Sequence, residues 1–575
     1  MLAVRVGQHS ERGRKEVNQD FHGATIPAGP PLLSKGVAVA VADGIGSSAV
    51  SRAASELAVQ GLMEDYYCTS EAWSVRKSVD RVLAATNSWL HSRTQQGALR
   101  NDMERGYVCT LSAVVIKGAT AHVFHVGDSR VYRLQKGVLE PVTQEHRVRV
   151  SDGKTYLARA MGFNAQIEID YHALPIERGD VFVLATDGVH EHVTAHEIAE
   201  AIADRPDDLD AAARAIVARA LDNGSPDNLT AQVVRVESLA EREGAELHER
   251  LLALPPPPIL SPRDVLDGWR IMRELHGSPR SHIYLAVDTQ SGRPAIIKTP
   301  AIDRQEDTAY LERFLMEEWI ARRIDSAHVL KPIEHARERT RQYLVTEYID
   351  GRTLAQWMID HPRPDLESVR RIVEQIAKGL QAMHRMEMLH RDLRPGNVMI
   401  DASGTVKIID FGAVSVAGLR ELRQAHDHEG VLGTEQYTAP ECFLGEAATP
   451  QSDLFSLGVI AYQMLSGRLP YGPDVARTRT RAAQAKLRYR SVLGDDRDIP
   501  AWIDEVLRRA VHPSPARRYE ELSELVHDLR HPNPRLTGHP AAPPLIERDG
   551  LLFWKAVSSA LALALFAMAF LHFGR

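Results

Sequence analysis

Four acidic residues in the first half of the chain sit where carboxylates can be brought together. Asp43-Gly44 follows the apolar run Val37–Ala42, and Asp187-Gly188 follows Val181–Thr186. Asp227-Asn228 precedes the strand-like Leu229–Val236, and Asp20 closes Asn18-Gln19-Asp20. A strand leaving its sheet at an aspartate presents the carboxylate at the sheet edge, and a glycine beside it lets a backbone carbonyl approach a ligand closely. Converging carboxylates repel one another unless a cation lies among them, and an all-oxygen set suits Mg2+ or Mn2+ rather than zinc. Two such ions can share a water, lower its pKa and aim it in line at phosphorus. A single Asp-Gly pair is mostly a turn; the ordered set points further.

With Gly127-Asp128-Ser129-Arg130 and Leu157-Ala158-Arg159-Ala160-Met161-Gly162 between them, these residues resemble the metal-dependent Ser/Thr protein phosphatases of type 2C, across residues 1–237. The resemblance implies a β-sandwich flanked by helices. It places Asp20, Asp43, Asp187, Asp227 and the Gly44 carbonyl around two metal ions, and Glu191 with Asp128 at a third. Two positions depart from the family pattern: Gln19 replaces a glutamate, and Lys15 replaces the phosphate-binding arginine. Lysine keeps the charge but loses two-pronged hydrogen bonding, so the expectation is an active but slow phosphatase.

A second set lies in the other half: His390-Arg391-Asp392-Leu393-Arg394-Pro395-Gly396-Asn397, then Asp410-Phe411-Gly412, then Ala439-Pro440-Glu441. It resembles the catalytic loop, metal-binding turn and activation-segment end of Ser/Thr protein kinases. The resemblance implies a bilobal kinase fold that uses ATP with Mg2+. Lys298 would grip the ATP phosphates and Glu317 would hold Lys298, with Glu318 as the competing partner. Asp392 would orient and deprotonate the attacking hydroxyl, with Arg394 as a cation beside the transferring phosphoryl group. Asn397 and Asp410 would bind the ions bridging the phosphates, and Glu347 to Ile349 would form the adenine-binding hinge. The departure is the phosphate-covering loop, Leu275 to Tyr284, which has one glycine where the family has two or three. Pro279 there has no amide to offer. Ser278, Ser281 and Ile283 are the remaining ATP-side candidates, the serines as hydroxyl donors. The alternative is an active phosphatase carrying a pseudokinase that serves as nucleotide sensor or binding module.

The elements needed to position these residues are readable. Ala54, Leu57, Ala58 and Leu62 recur at helical spacing, as do Val75, Val79, Val82, Leu83 and Leu90. Strand-like runs are Val37–Ala42, His122–Val126, Val181–Ala185 and Leu229–Val236. Val369, Ile372, Val373, Ile376, Leu380 and Met383 mark an amphipathic helix leading into His390, and Tyr310–Arg323 a helix carrying Glu317. A charged stretch closing on Pro255-Pro256-Pro257-Pro258 predicts a linker over 238–262 between the phosphatase-like region and a kinase-like region at 263–531.

At 575 residues the chain is long enough for several cores, and a net charge of −7 gives no sign of a nucleic-acid binder. Three separated cysteines predict neither a disulfide frame nor a thiolate metal site. The N-terminus lacks the apolar stretch of a signal peptide. A Pro-rich tether is expected over 532–550. Beyond it, 551–573 is rich in Leu, Ala and Phe, carries Lys555 but no charged residue from Ala556 to Phe573, and is long enough to cross a bilayer as one helix. The expectation is a bacterial signalling protein tail-anchored in the cell (inner) membrane, its catalytic domains cytoplasmic. Ala560 and Ala564 have the small-xxx-small spacing of paired helices, so a homodimer is one option. The expected partners are Ser/Thr and phospho-Ser/Thr proteins, the chain's own kinase domain among them.

Overall fold

The computed structural model describes residues 2–45, 49–96, 106–149, 155–239, 254–278, 281–301, 307–333, 337–421, 436–494 and 499–533. The chain divides into two compact units. One comprises Met1–Asp350, Gly379–Arg391 and Lys407–Leu432; the other comprises Gly351–Lys378, Asp392–Val406 and Gly433–Arg575.

The first unit begins with two five-stranded antiparallel sheets. One runs Ala3–Glu11, Leu229–Ser238, Val181–Ala185, Arg130–Gln135, Val138–Pro141. The other runs Asp170–Pro175, Thr120–Val126, Leu111–Lys117, Val37–Asp43, Asp20–Thr25. Side chains alternate across a strand, and here both faces are covered. Val37, Val39 and Val41 pack with Phe182, Leu184 and Val234 in the core between the sheets. Ala38, Ala40 and Ala42 point the other way, onto Ala54, Ala58 and Leu62 of the helix Ala49–Cys68 and Val79 and Leu83 of the helix Val75–Gln96. Val183 and Ala185 likewise meet Ile216 and Val217 of the helix Leu209–Asp222. Double-sided burial is why these strands read as unbroken apolar runs, and each fully buried Val or Leu contributes about 1.5–3 kcal/mol. The result is the expected sandwich flanked by helices.

The same unit carries a further five-stranded antiparallel sheet, Val265–Leu266, Trp269–Gly277, Ser281–Asp288, Pro294–Pro300 and Leu344–Glu347. Its core contains Trp269, Tyr284, Ile297 and Tyr343, together with Leu260. The Pro255 carbonyl accepts from the Gln342 amide at 3.1 Å. Pro255 and Leu260, within the expected linker, are therefore packed against this sheet and its flanking residues. The helix Thr308–Arg323 is capped by Asp307, which accepts from the Tyr310 amide, and packs Phe314 and Leu315 against Leu344.

The second unit is mainly helical, with Pro450–Ser466 buried along most of its length and Ala501–Ala510 and Leu522–Arg530 beyond it. Arg518 and Glu441 form an ion pair at 2.7 Å with side chains 0% and 4% exposed. The membrane-spanning segment expected over 551–573 lies outside the described residues, as does the tether from residue 534 on. Among the described residues no helix is long and apolar enough to cross a membrane.

Candidate active sites

Strand pairing brings the first carboxylates together: Asp20 lies directly opposite Asp43 across the two antiparallel strands that carry them. The strand Val181–Ala185 ends at Thr186, and Asp187 opens the helical turn Asp187–His190. Asp43, Asp128 and Asp187 each direct an oxygen into one group whose atoms all lie within 4.8 Å of one another. Gly44 continues from Asp43 with its amide on the Gln19 carbonyl at 3.2 Å. A Cβ at Gly44 would stand 2.5 Å from the Ser51 carbonyl oxygen, so the start of the neighbouring helix demands glycine there.

Asp20 is 6% exposed. Its Oδ2 accepts from the hydroxyls of Thr186 at 2.9 Å and Thr230 at 2.7 Å, while its Oδ1 is buried without a donor. Burial pushes the Asp20 carboxyl up to about 6. Burial, then the charges of Asp128 and Asp227, push Asp187 up to about 7, and burial with Asp20 and Asp187 beside it raises Asp43 well above the usual range. Packed carboxylates, an unpartnered buried oxygen and an all-oxygen donor set fit hard divalent cations. Asp20, Asp43, Asp187, Asp227 and the Gly44 carbonyl are the residues that would hold them. Asp128, expected only at a third position, stands within the central group.

Two cations of the protein itself border this cluster. Lys15 Nζ lies 2.9 Å from Asp227. Asn228 fixes the loop bearing Lys15 by donating to the carbonyls of Arg12 at 2.9 Å and Val17 at 3.0 Å. Arg147, which no spacing in the sequence singles out, donates to Asp128 at 2.8 Å, to Asp187 at 2.9 Å and to Glu191. His190, also unanticipated, places Nε2 2.8 Å from the Asp128 carbonyl and so steadies that turn.

The kinase-like residues are distributed over both units. In the first, Lys298 Nζ lies 2.8 and 2.7 Å from the two Glu317 oxygens and 3.3 Å from Asp410. Burial works against the Lys298 charge, but Glu317 and Asp410 outweigh it and raise its pKa. Burial likewise works against the Asp410 charge, and Lys298 outweighs it and lowers that pKa. Glu318 instead binds Arg322 at 2.6 Å and Arg339 at 2.7 Å. Ile283 faces Lys298 in the strand register. Glu347 ends its strand with its carboxylate on Lys407 at 2.7 Å, and Ile349 is buried. His390 is buried, its ring edge-on to Phe411 at 6.4 Å. Ser278 closes a turn with Ser281: its amide and hydroxyl donate to the Ser281 carbonyl at 3.0 and 3.1 Å. The Ser278 hydroxyl, expected as a donor toward phosphate, here donates to the Ser281 carbonyl.

In the second unit, Asn397 ends the buried turn Pro395–Asn397 and donates to the Asp392 carbonyl at 2.8 Å and carboxylate at 3.2 Å. Arg394 Nε is 3.7 Å from that carboxylate. The Asp392 side chain is thereby held by two neighbours from its own loop.

Residues 7–233 match the protein phosphatase 2C family and residues 277–536 the protein kinase domain family. A serine/threonine-protein kinase of Corynebacterium efficiens, drp72, is 34% identical over 259 residues, 44% of this chain and 48% of that protein. The serine/threonine-protein kinase PknA of Mycobacterium tuberculosis is 33% identical over 227 residues, 38% and 52% of the two chains. The chain thus spans about half the length of these curated relatives. Among solved structures, PppA, a key regulatory component of T6SS in Pseudomonas aeruginosa, has 28% identity, covering 40% of this chain and 97% of that one at a TM-score of 0.35. The chain therefore joins members of two families, a protein phosphatase 2C domain over residues 7–233 and a protein kinase domain over residues 277–536.

Proposed function

We propose that the protein is a bifunctional enzyme that phosphorylates Ser/Thr residues of proteins with ATP and removes phosphate from the same residue types. The observation that carries the phosphatase half is the convergence of Asp43, Asp128 and Asp187 beside the buried, donor-less Asp20 oxygen. Mg2+ or Mn2+ held by these residues would supply a water of lowered pKa as the nucleophile toward phosphorus. The protein's part is to fix the carboxylates: Thr186 and Thr230 orient Asp20, and Asn228 holds the loop that presents Lys15 for a phosphate oxygen. In the kinase half, Glu317 holds Lys298 for the ATP phosphates, Asp392 takes the proton of the attacking hydroxyl, and Asn397 and Asp410 serve the Mg2+ that accompanies ATP.

The test is label transfer from ATP and Mn2+-dependent release of phosphate from a phosphothreonine peptide. Asp43→Asn should lower release at least about 100-fold and leave transfer intact; Asp392→Ala should do the reverse. The Ser278–Ser281 turn favours a second reading, an active phosphatase with a nucleotide-sensing pseudokinase. Absence of transfer by Asp43→Asn with ATP still bound would select it.

The location proposed is the cell membrane, crossed by 551–573 as one helix, supported by the length of its Leu-, Ala- and Phe-rich run without a charged residue from Ala556 to Phe573. Membrane fractionation of the chain with and without those residues tests it.

A further inference from the structure

Within the first compact unit, the phosphatase domain holds three segments of the kinase domain that bear on catalysis. The helix Val75–Gln96 has no acidic residue in its first turn. Ser74 caps the Lys77 amide with its own hydroxyl, but the amides of Ser74 and Val75 are met from the kinase side. Glu387 accepts from Ser74 at 2.7 Å, and Glu421 accepts from Val75 at 2.9 Å. These are donors that a helix start leaves unsatisfied, and a carboxylate placed there also meets the positive end of the helix dipole.

Beside them, Lys117 ends a central strand of the sandwich with its side chain 1% exposed. It donates to the Gly418 carbonyl at 2.7 Å and lies 3.0 Å from Glu421. Gly418 in turn donates its amide to the Ala72 carbonyl at 3.0 Å. A Cβ at Gly418 would stand 2.4 Å from the Glu71 carbonyl oxygen, so the two backbones are pressed together. Glu71 also reaches Arg323 at 2.9 Å, at the end of the helix that carries Glu317. A lysine this deeply buried is costly unless its charge is met, and its partner comes from the other domain.

This patch lies away from the phosphatase carboxylates. Val37 pairs with Ile116, next to Lys117, whereas Asp43, at the other end of the same seven-residue strand, bonds to Thr110. At about 3.3 Å per residue the two ends are roughly 20 Å apart. The kinase segments it touches are the end of the Glu317 helix, the residues just before His390, and the residues just after Asp410-Phe411-Gly412. All three are held while Lys298 and Glu317 are paired.

We propose that the phosphatase domain, through Glu71 to Val75 and Lys117, is a docking partner for its own kinase domain and supports the Lys298–Glu317 arrangement needed for phosphoryl transfer. The role is separate from phosphate removal.

The test uses the full chain in the Asp43→Asn background, so that label once transferred is retained. Lys117→Glu, Glu421→Lys and Gly418→Val should each lower transfer to casein at least about fivefold. Each should also speed hydrogen exchange at both residues 74–77 and 415–421. The double variant Lys117→Glu/Glu421→Lys should recover half or more of the parent rate, which damage to either domain alone would not allow. Gly418→Val breaks the contact without burying a charge, and phosphatase activity of the same variants with Asp43 restored reports that the sandwich is folded. Unchanged or raised transfer overturns the proposal, and so does slowed transfer with exchange at 74–77 unaltered. A parent that transfers no phosphate sinks the kinase reading instead, and exchange at the two segments then decides the docking by itself.

Discussion

At the scale of single residues, the phosphatase site is a problem of excess negative charge solved twice. Hard cations fit its centre, and Arg147 and Lys15 neutralise its edges. Arg147 holds Asp128 and Asp187, both members of the central group, so any ion that binds those oxygens competes with its guanidinium. Arg147→Ala should therefore tighten Mn2+ binding several-fold, read by calorimetry; an unaltered isotherm would show that the arginine and the ion do not contend. Arg147 left no mark in the sequence because its partners are 19, 40 and 44 residues away, and contacts of that kind have no period. Glu317, preferred over Glu318 from the resemblance, is the one that meets Lys298 at 2.7 Å, while Glu318 is taken by Arg339 from beyond the helix, a partner with no sign in the sequence.

At the scale of elements, the legible parts were those whose burial imposes a pattern. Val37–Asp43 and Val181–Ala185 were readable because both faces are covered, and Leu366–Arg385 because one face is. The turn at Ser278 and the docking of Leu260 were not, since they depend on hydrogen bonds and on a neighbouring core. The strand Thr120–Val126 adds a pH dependence. Burial holds His122 and His125 neutral, each lowered to about 4. A histidine depressed in this way contributes stability that is complete above its ordinary pKa of about 6.5 and is lost as pH falls toward 4. Each should cost the sandwich about 2 kcal/mol at pH 5, and His125→Gln should flatten the fall, read as exchange protection of Thr120–Val126 against pH. In the helical unit, Arg518→Ala should destabilise by about 3–5 kcal/mol in thermal denaturation by leaving the Glu441 charge buried without its cation, with the Ser452 hydroxyl still donating to it. Arg518→Lys should not repair it, because the pair is two-pronged.

At the scale of the whole molecule, the proposed function puts opposed chemistries in one chain, whose net output is then set by the ratio of two rates. With ATP and Mn2+ together, Asp43→Asn should accumulate more protein-bound phosphate over time than the parent. Equal accumulation would mean that the two sites share no substrate. The docking patch adds a second connection, in which one domain acts on the other by contact. Near that patch lies Cys68, exposed at the end of its helix and three residues before Glu71. Cys109 is buried, and burial raises its thiol pKa far out of the reactive range, while Cys442 is partly covered. A thiol-directed fluorophore at neutral pH should thus settle first on Cys68, giving a native attachment point that reports whether the nearby contact between the two domains is made or lost in each variant.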